Sequence, residues 1–523
     1  MQEIKTVLAL LVAVVALTLA AERLQIAYPI VLVVGGLAIG FIPGLPRVAL
    51  EPSVVFLLFL PPILFYEGLT SSIRDLRANV RPITLLAVEL VLASIAAVAY
   101  VAKTLVPGLP WSAAVLLGAI VGPTDETAAI VIAERLQIPK RLIIVIKAES
   151  LFNDAVSLVI YAVTLSAITS GRFSLPMASL QLVLSAVGGL LIGLFVGWGV
   201  GFVRRRIHNP PVENVMSLLT GFAAYLPADA LHCSGVIAAI TTGLYMGRHG
   251  PNFVAADTRL QNVQVRRVVL YLINGLLFVL VGLQLHGIVN SLSGFSWPHL
   301  IHDAVAIVCT VIAVRIAGVF AAVHVPRALS PSLRIRDPAP SWQQSSLVSW
   351  VGMRGGVSLA AALAIPFTIE GGRGFPDRAI IVFLTFSVTF STLVLQGLTL
   401  PALIGRLRIA PDASENAEER SARERMLHDA LARLEDLSHE PWADADVIAH
   451  IKKRYEVKLA HVGHDHGDES ALDDMDVVLR VERELIATQR RTMIALRDSD
   501  DINDETMGVI QNQLDLEDVR QQR

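Results

Sequence analysis

Hydrophobic residues in this chain gather into long blocks separated by short polar runs. Thirteen blocks approach the ~20 apolar residues that a helix needs to cross a bilayer. They lie near 4–21, 27–43, 52–67, 80–104, 111–134, 142–169, 179–203, 214–230, 233–247, 266–289, 299–325, 345–369 and 378–404. The third is marginal, and the eighth and ninth are short. The polar runs alternate in charge. One set carries Arg74, Arg77 and Arg81, then Arg135, Lys140 and Arg141, then Arg204, Arg205 and Arg206, then Arg248, Arg259, Arg266 and Arg267, then Arg327, Arg334 and Arg336. The other set carries little beyond Arg47, Arg172, Arg373 and Arg378. Basic loops stay on the cytoplasmic side. The pattern therefore predicts an all-α polytopic membrane protein with an odd number of spans, its N-terminus outside and its C-terminus in the cytoplasm. The first block, after Lys5, is read as an uncleaved helix because many spans follow it.

From Pro411 the pattern changes. Hydrophobicity falls, and 415–438 and 471–498 take helical spacing, with Met426, Leu427, Leu431 and Leu434 on one face. Residues 411–523 hold 15 Lys and Arg against 28 Asp and Glu, about −13, while 1–410 are about +10; the overall charge of −3 hides that asymmetry. The tail is predicted to be an ordered, acidic helical unit, a place for a regulatory ligand or pH sensing. Across all 523 residues 54% are hydrophobic and 17% charged, with a mean hydropathy of +0.59, which excludes an ordinary soluble protein. Cys233 and Cys309 are too few for a disulfide framework and read as packing residues. No Walker A motif or dinucleotide fingerprint occurs, and nothing points to nucleic acid, a bound cofactor or an enzyme.

Charge inside the apolar blocks narrows the function. The fifth block contains Gly122-Pro-Thr-Asp-Glu126, and the sixth contains Glu149-Ser-Leu-Phe-Asn-Asp154. Carboxylates at membrane depth are costly and mark ion or proton paths. Gly122-Pro123 predicts a helix broken at that depth, which frees backbone carbonyls. Helical spacing puts Ser150, Asn153 and Asp154 on one face, offering a hydroxyl, an amide and a carboxylate. Thr124 adds a hydroxyl, and hard cations take oxygen ligands. A cation and a proton compete for the one carboxylate of Asp154, and a site that holds either but not both couples their movements in opposite directions. The twelfth block carries Arg354 between Gly352 and Gly355-Gly356, a second predicted break. Paired broken helices in two halves of a chain point to an inverted-repeat transporter with its site at the midplane. Glu149 is the expected counter-ion of Arg354, a structural ion pair.

These motifs, with Gly352-Met-Arg-Gly-Gly-Val-Ser358 and Ser234-Gly-Val-Ile-Ala-Ala239, resemble the bacterial NhaP/NHE branch of the monovalent cation–proton antiporters over about residues 5–407. The resemblance implies thirteen helices with two crossed breaks. It implies a mobile core at about 80–170 and 299–404, dimerisation helices at about 4–67 and 214–289, and a homodimer in the bacterial inner membrane that works by elevator-like alternating access. It also implies that Asp154, Thr124 and Ser150 bind Na+, supported by Asn153, Asp125 and the more distant Glu67. Electrogenic relatives carry two adjacent aspartates where this chain has Asn153-Asp154, so the resemblance implies exchange of one H+ for one Na+. Li+ or K+ are alternative cargoes. K+/H+ exchange on the same scaffold is the nearest rival, and a cation channel is the rival from another class, though no repeated filter is present. His461, His464 and His466 in the tail fit no standard metal spacing.

Overall fold

The computed structural model describes residues 2–42, 52–126, 129–130, 132–133, 138–170, 175–207, 209–250, 254, 256–292, 296–336, 339–369, 373–375, 377–409 and 413–463, with isolated positions between 485 and 492. Arg47, Arg135, Arg172, His464, His466 and nearly all of 471–498 lie outside the described residues. The chain divides into two compact units, Met1–Pro411 and Asp412–Arg523.

The first unit is helical almost throughout. Its elements are α1 (Gln2–Leu24), α2 (Tyr28–Gly40), α3 (Pro52–Thr70), α4 (Ile73–Ala78) and α5 (Val80–Leu105), the last continuous through a π turn at Leu85–Glu89. There follow α6 (Trp111–Val121), α7 (Lys140–Ser170), α8 (Leu175–Arg204), α9 (Pro210–Ala230), α10 (Gly235–His249), α11 (Ala256–Ser291) and α12 (Trp297–Leu329). The unit closes with α13 (Pro331–Arg336), α14 (Trp342–Trp350), α15 (Gly356–Leu363) and α16 (Arg378–Leu407). Among the described residues, each apolar block overlaps at least one helix. Among the described residues, seven helices are long and apolar enough to cross a membrane by length and composition.

Two boundaries differ from the hydropathy reading. α11 begins ten residues before 266, because its first turns are polar (Asp257, Arg259, Gln261) and carry no hydropathy signal. α15 ends at Leu363, not 369; Pro366 cannot donate to the helix and pushes Ile365 toward extended backbone.

Burial separates the helices. Only 17% of the apolar window of α1 and of α8 is buried, against 67% for α16 and 56% for α7. Leu184, Leu191, Phe195 and Trp198 of α8 are exposed, the surface expected to meet lipid. The buried helices pack at backbone contact through small residues, as apolar solvent offers no hydrophobic drive between helices. A Cβ on Gly36 of α2 would lie 2.5 Å from the Val279 carbonyl of α11, and one on Gly118 of α6 would lie 2.6 Å from the Ile95 carbonyl of α5.

In the second unit, α17 (Ala413–Leu437) matches the expected helix and α18 (Ala445–Gly463) is additional. Asp444 starts α18 by accepting from the Asp446 and Val447 amides at 2.9 and 3.2 Å. Lys452 Nζ donates to Glu435 Oε2 at 2.9 Å, pairing the two helices and holding the Glu435 carboxyl below its usual range.

Candidate functional site

Both predicted breaks are present. α6 stops at Val121, and Gly122 to Glu126 are non-helical. α14 stops at Trp350, Val351 to Gly355 are non-helical, and α15 starts at Gly356. The two unwound segments bind each other. The Asp125 amide donates to the Met353 carbonyl at 2.7 Å, and the Gly356 amide donates to Asp125 Oδ2 at 3.0 Å. Arg354 Nε donates to the Val121 carbonyl at 3.0 Å, a second donor bond runs from its Nη1 to the Gly352 carbonyl, and its amide donates to Thr392 Oγ1 at 3.1 Å.

The charges are placed with the helix dipoles. Asp125 faces the N-terminus of α15, where backbone amides point outward, and Arg354 faces the C-terminal carbonyls of α6. Each half-helix thus finds its compensating charge on the opposite break. The contact tolerates no side chain at Gly355, whose Cβ would overlap the Asp125 carboxylate. Gly355→Ala is expected to cost ~2 kcal/mol by forced displacement and to abolish exchange; a melting curve in detergent and a vesicle flux assay check both.

α7 lies beside the crossing. Ser150 Oγ donates to the Thr124 carbonyl at 2.8 Å, and Asn153 Nδ2 donates to Thr124 Oγ1 at 2.8 Å. Thr124, Ser150, Asn153 and Asp154 are all buried, with Asn153 at 0% and Asp154 at 3% exposure. Asn153 Oδ1 is buried without a hydrogen-bond partner, and among the described residues no donor reaches the Asp154 carboxylate. Uncompensated oxygens in a buried cluster are costly unless a cation, a proton or water meets them. Glu67, half-buried in α3, is within electrostatic range of Asp154, Asp125 and Glu126, and its Oε2 is buried without a hydrogen-bond partner. Hydrogen bonds thus join Thr124 to Ser150 and Asn153, Asp154 neighbours them on α7, Asp125 lies in the adjoining break, and Glu67 is linked to the group through electrostatics alone.

The structural ion pair needs correction. Glu149 is bound by Arg315 of α12, not by Arg354: Arg315 Nη1 bonds Glu149 Oε1 and Nη2 bonds Oε2 at 3.1 Å, while Nη2 also reaches the Val348 carbonyl at 3.0 Å. Arg354 stays within electrostatic range of Glu149, but its donors are committed to carbonyls freed by the two breaks. Arg315 was missed although it lies within the apolar run 299–325, where the rule that flagged Arg354 applies equally. Glu126 was also passed over; it lies in the same break, within electrostatic range of Asp125, Lys147 and Glu149, and its Oε2 is buried without a hydrogen-bond partner. A second buried ion pair, Arg204–Glu213 at 3.5 Å, joins the end of α8 to the start of α9.

A family profile described as sodium/hydrogen exchanger, transmembrane, matches residues 9–405. A Mycobacterium tuberculosis protein named as an uncharacterized Na(+)/H(+) exchanger is 37% identical over 522 residues, covering 98% of this chain and 95% of that relative. The sodium, potassium, lithium and rubidium/H(+) antiporter of Bacillus pumilus is 30% identical over 453 residues, 83% of this chain and 66% of its own length. Among solved structures, the sodium proton antiporter MjNhaP1 from Methanocaldococcus jannaschii matches with a TM-score of 0.61 at 22% identity, over 78% of this chain and 99% of that one. At that identity the likeness speaks for the fold alone.

Proposed function

This chain belongs to the sodium/hydrogen exchanger family and is an integral membrane secondary transporter; we propose that it exchanges one Na+ for one H+, with Asp154 holding each in turn. The observation that carries this reading is the Asp154 carboxylate, buried at 3% exposure and lacking any donor among the described residues, beside the two crossed breaks. The oxygens of Thr124, Ser150 and Asn153 complete a cage suited to a dehydrated monovalent cation. Asp125 is committed to the α15 amide and Glu149 to Arg315, which leaves their charges compensated. Asn153 cannot titrate, so the second carboxylate of electrogenic exchange is missing from its usual place.

The same reading places the protein in the bacterial inner membrane as a homodimer with thirteen spans, N-terminus outside and C-terminus cytoplasmic. The core at 80–170 and 299–404 carries the ion against dimer helices at 4–67 and 214–289. Proteoliposomes test it. Na+ added to acid-loaded vesicles is expected to alkalinise the lumen at the same rate whether or not the potential is clamped, because no net charge moves. A rate that follows the imposed potential overturns the one-for-one stoichiometry, current without proton movement indicates a channel, and a response to K+ equal to that for Na+ widens the cargo.

A further inference from the structure

Beside the arginine-rich loops lies a feature apart from the crossed breaks. A cavity of ≈ 900 Å³ opens where the end of α3, the start of α4 and the end of α10 meet. Arg74, Arg77, Arg248 and His249 line it, with the hydroxyls of Ser71 and Ser72, and no carboxylate is among its lining residues. Arg74 and Arg77 are one turn apart on α4 and so share a face. Arg248 comes from α10, which is fixed against α3: a Cβ on Gly247 would lie 2.5 Å from the Leu69 carbonyl. The fold thus holds the exposed guanidinium groups of Arg77 and Arg248 around one space, where their mutual repulsion favours an anion. Guanidinium forks match the oxygens of a phosphate in pairs, and the volume is that of a small-molecule site. The cavity lies at the ends of α3 and α10, beside the arginine-rich loops that the charge pattern predicts to face the cytoplasm.

We propose that this cavity binds a phosphate-bearing anion, supplied by the headgroup of an anionic phospholipid or by a free phosphate. The ligand would tie α4 to α10 and hold the inner end of α3, the helix that carries Glu67. The inference stands on binding and not on transport, so its failure leaves the exchange reading untouched.

The test uses the full chain purified in detergent, with short-chain phosphatidylglycerol, short-chain phosphatidylcholine and inorganic phosphate as probes, read by equilibrium dialysis. Phosphatidylglycerol is expected to bind and phosphatidylcholine not to. The pair Arg77→Gln/Arg248→Gln is expected to bind phosphatidylglycerol about 25-fold more weakly, each surface guanidinium being worth about fivefold. Arg406→Gln, an exposed arginine outside the cavity, is expected to leave binding unchanged. Competition by inorganic phosphate, with the same loss in the double variant, assigns the site to phosphate from either source; no competition assigns it to the lipid headgroup. Equal affinity in the wild type and the double variant, or an equal loss with Arg406→Gln, overturns the proposal. If the glutamine pair does not fold, the single variants Arg77→Gln and Arg248→Gln are each expected to bind about fivefold more weakly, and wild-type affinity in both overturns it as well.

Discussion

Asp154→Asn is expected to reduce Na+-driven alkalinisation to that of empty vesicles while leaving the melting temperature unchanged or slightly raised. The two halves of this result have one cause. In the wild type the Asp154 carboxylate is buried and, among the described residues, no donor compensates it, so its ionised form adds little to holding the helices together. A buried polar group without partners is costly, and an amide of the same shape carries less of that cost than a carboxylate. On the proposed reading, the substitution removes the one group of the cage that releases and takes up a proton, along with the charge that draws the cation. A variant that exchanges at the wild-type rate removes Asp154 from the transport cycle. A variant that loses activity only because it melts tens of degrees lower assigns Asp154 a structural role instead. Flux and thermal melting on the same preparation separate the two.

Arg315→Met is expected to destabilise the protein by ~3–5 kcal/mol, because it strands the Glu149 carboxylate in the bundle. The added substitution Glu149→Gln should recover much of that loss, since it removes the stranded charge. Arg354→Met is expected to cost ~1–3 kcal/mol, the penalty for leaving the Val121 and Gly352 carbonyls without their donor, and Glu149→Gln should not rescue it. Paired melting curves for the two double-variant cycles give the coupling energies. Strong coupling of Glu149 to Arg315 and weak coupling to Arg354 match the hydrogen bonds; the reverse order contradicts them.

These contrasts show which parts of the molecule sequence patterns convey. Apolar block length conveyed the helices because bilayer thickness sets it, and it lost α11's polar first turns because they add nothing to hydropathy. The breaks were legible at Gly122-Pro123 and Gly355-Gly356, since proline lacks the amide that a helical turn needs and glycine holds a helix weakly. Spacing on α7 placed Ser150, Asn153 and Asp154 together because a helix makes its faces periodic. What spacing could not supply is the identity of neighbours across helices. Glu149 has two arginines within electrostatic range, and the choice between them depends on how far α12 reaches into the bundle and on which carbonyls the breaks leave free. Arg354 is drawn to those carbonyls, a demand created by the backbone and invisible in a string of side chains. In the tail, α18 was passed over although Asp444 announces its start, because a cap is a local signal that hydropathy does not register.

The reciprocal bonding of Asp125 and Arg354 has a mechanical consequence. Sliding one break past the other would strand a carboxylate and a guanidinium in a low-dielectric interior, a penalty far larger than thermal energy. The crossover therefore behaves as a welded joint: whatever tilts or rises during turnover takes both half-helices with it as one body. Compliance, on the proposed alternating-access reading, then resides at that body's outer margins.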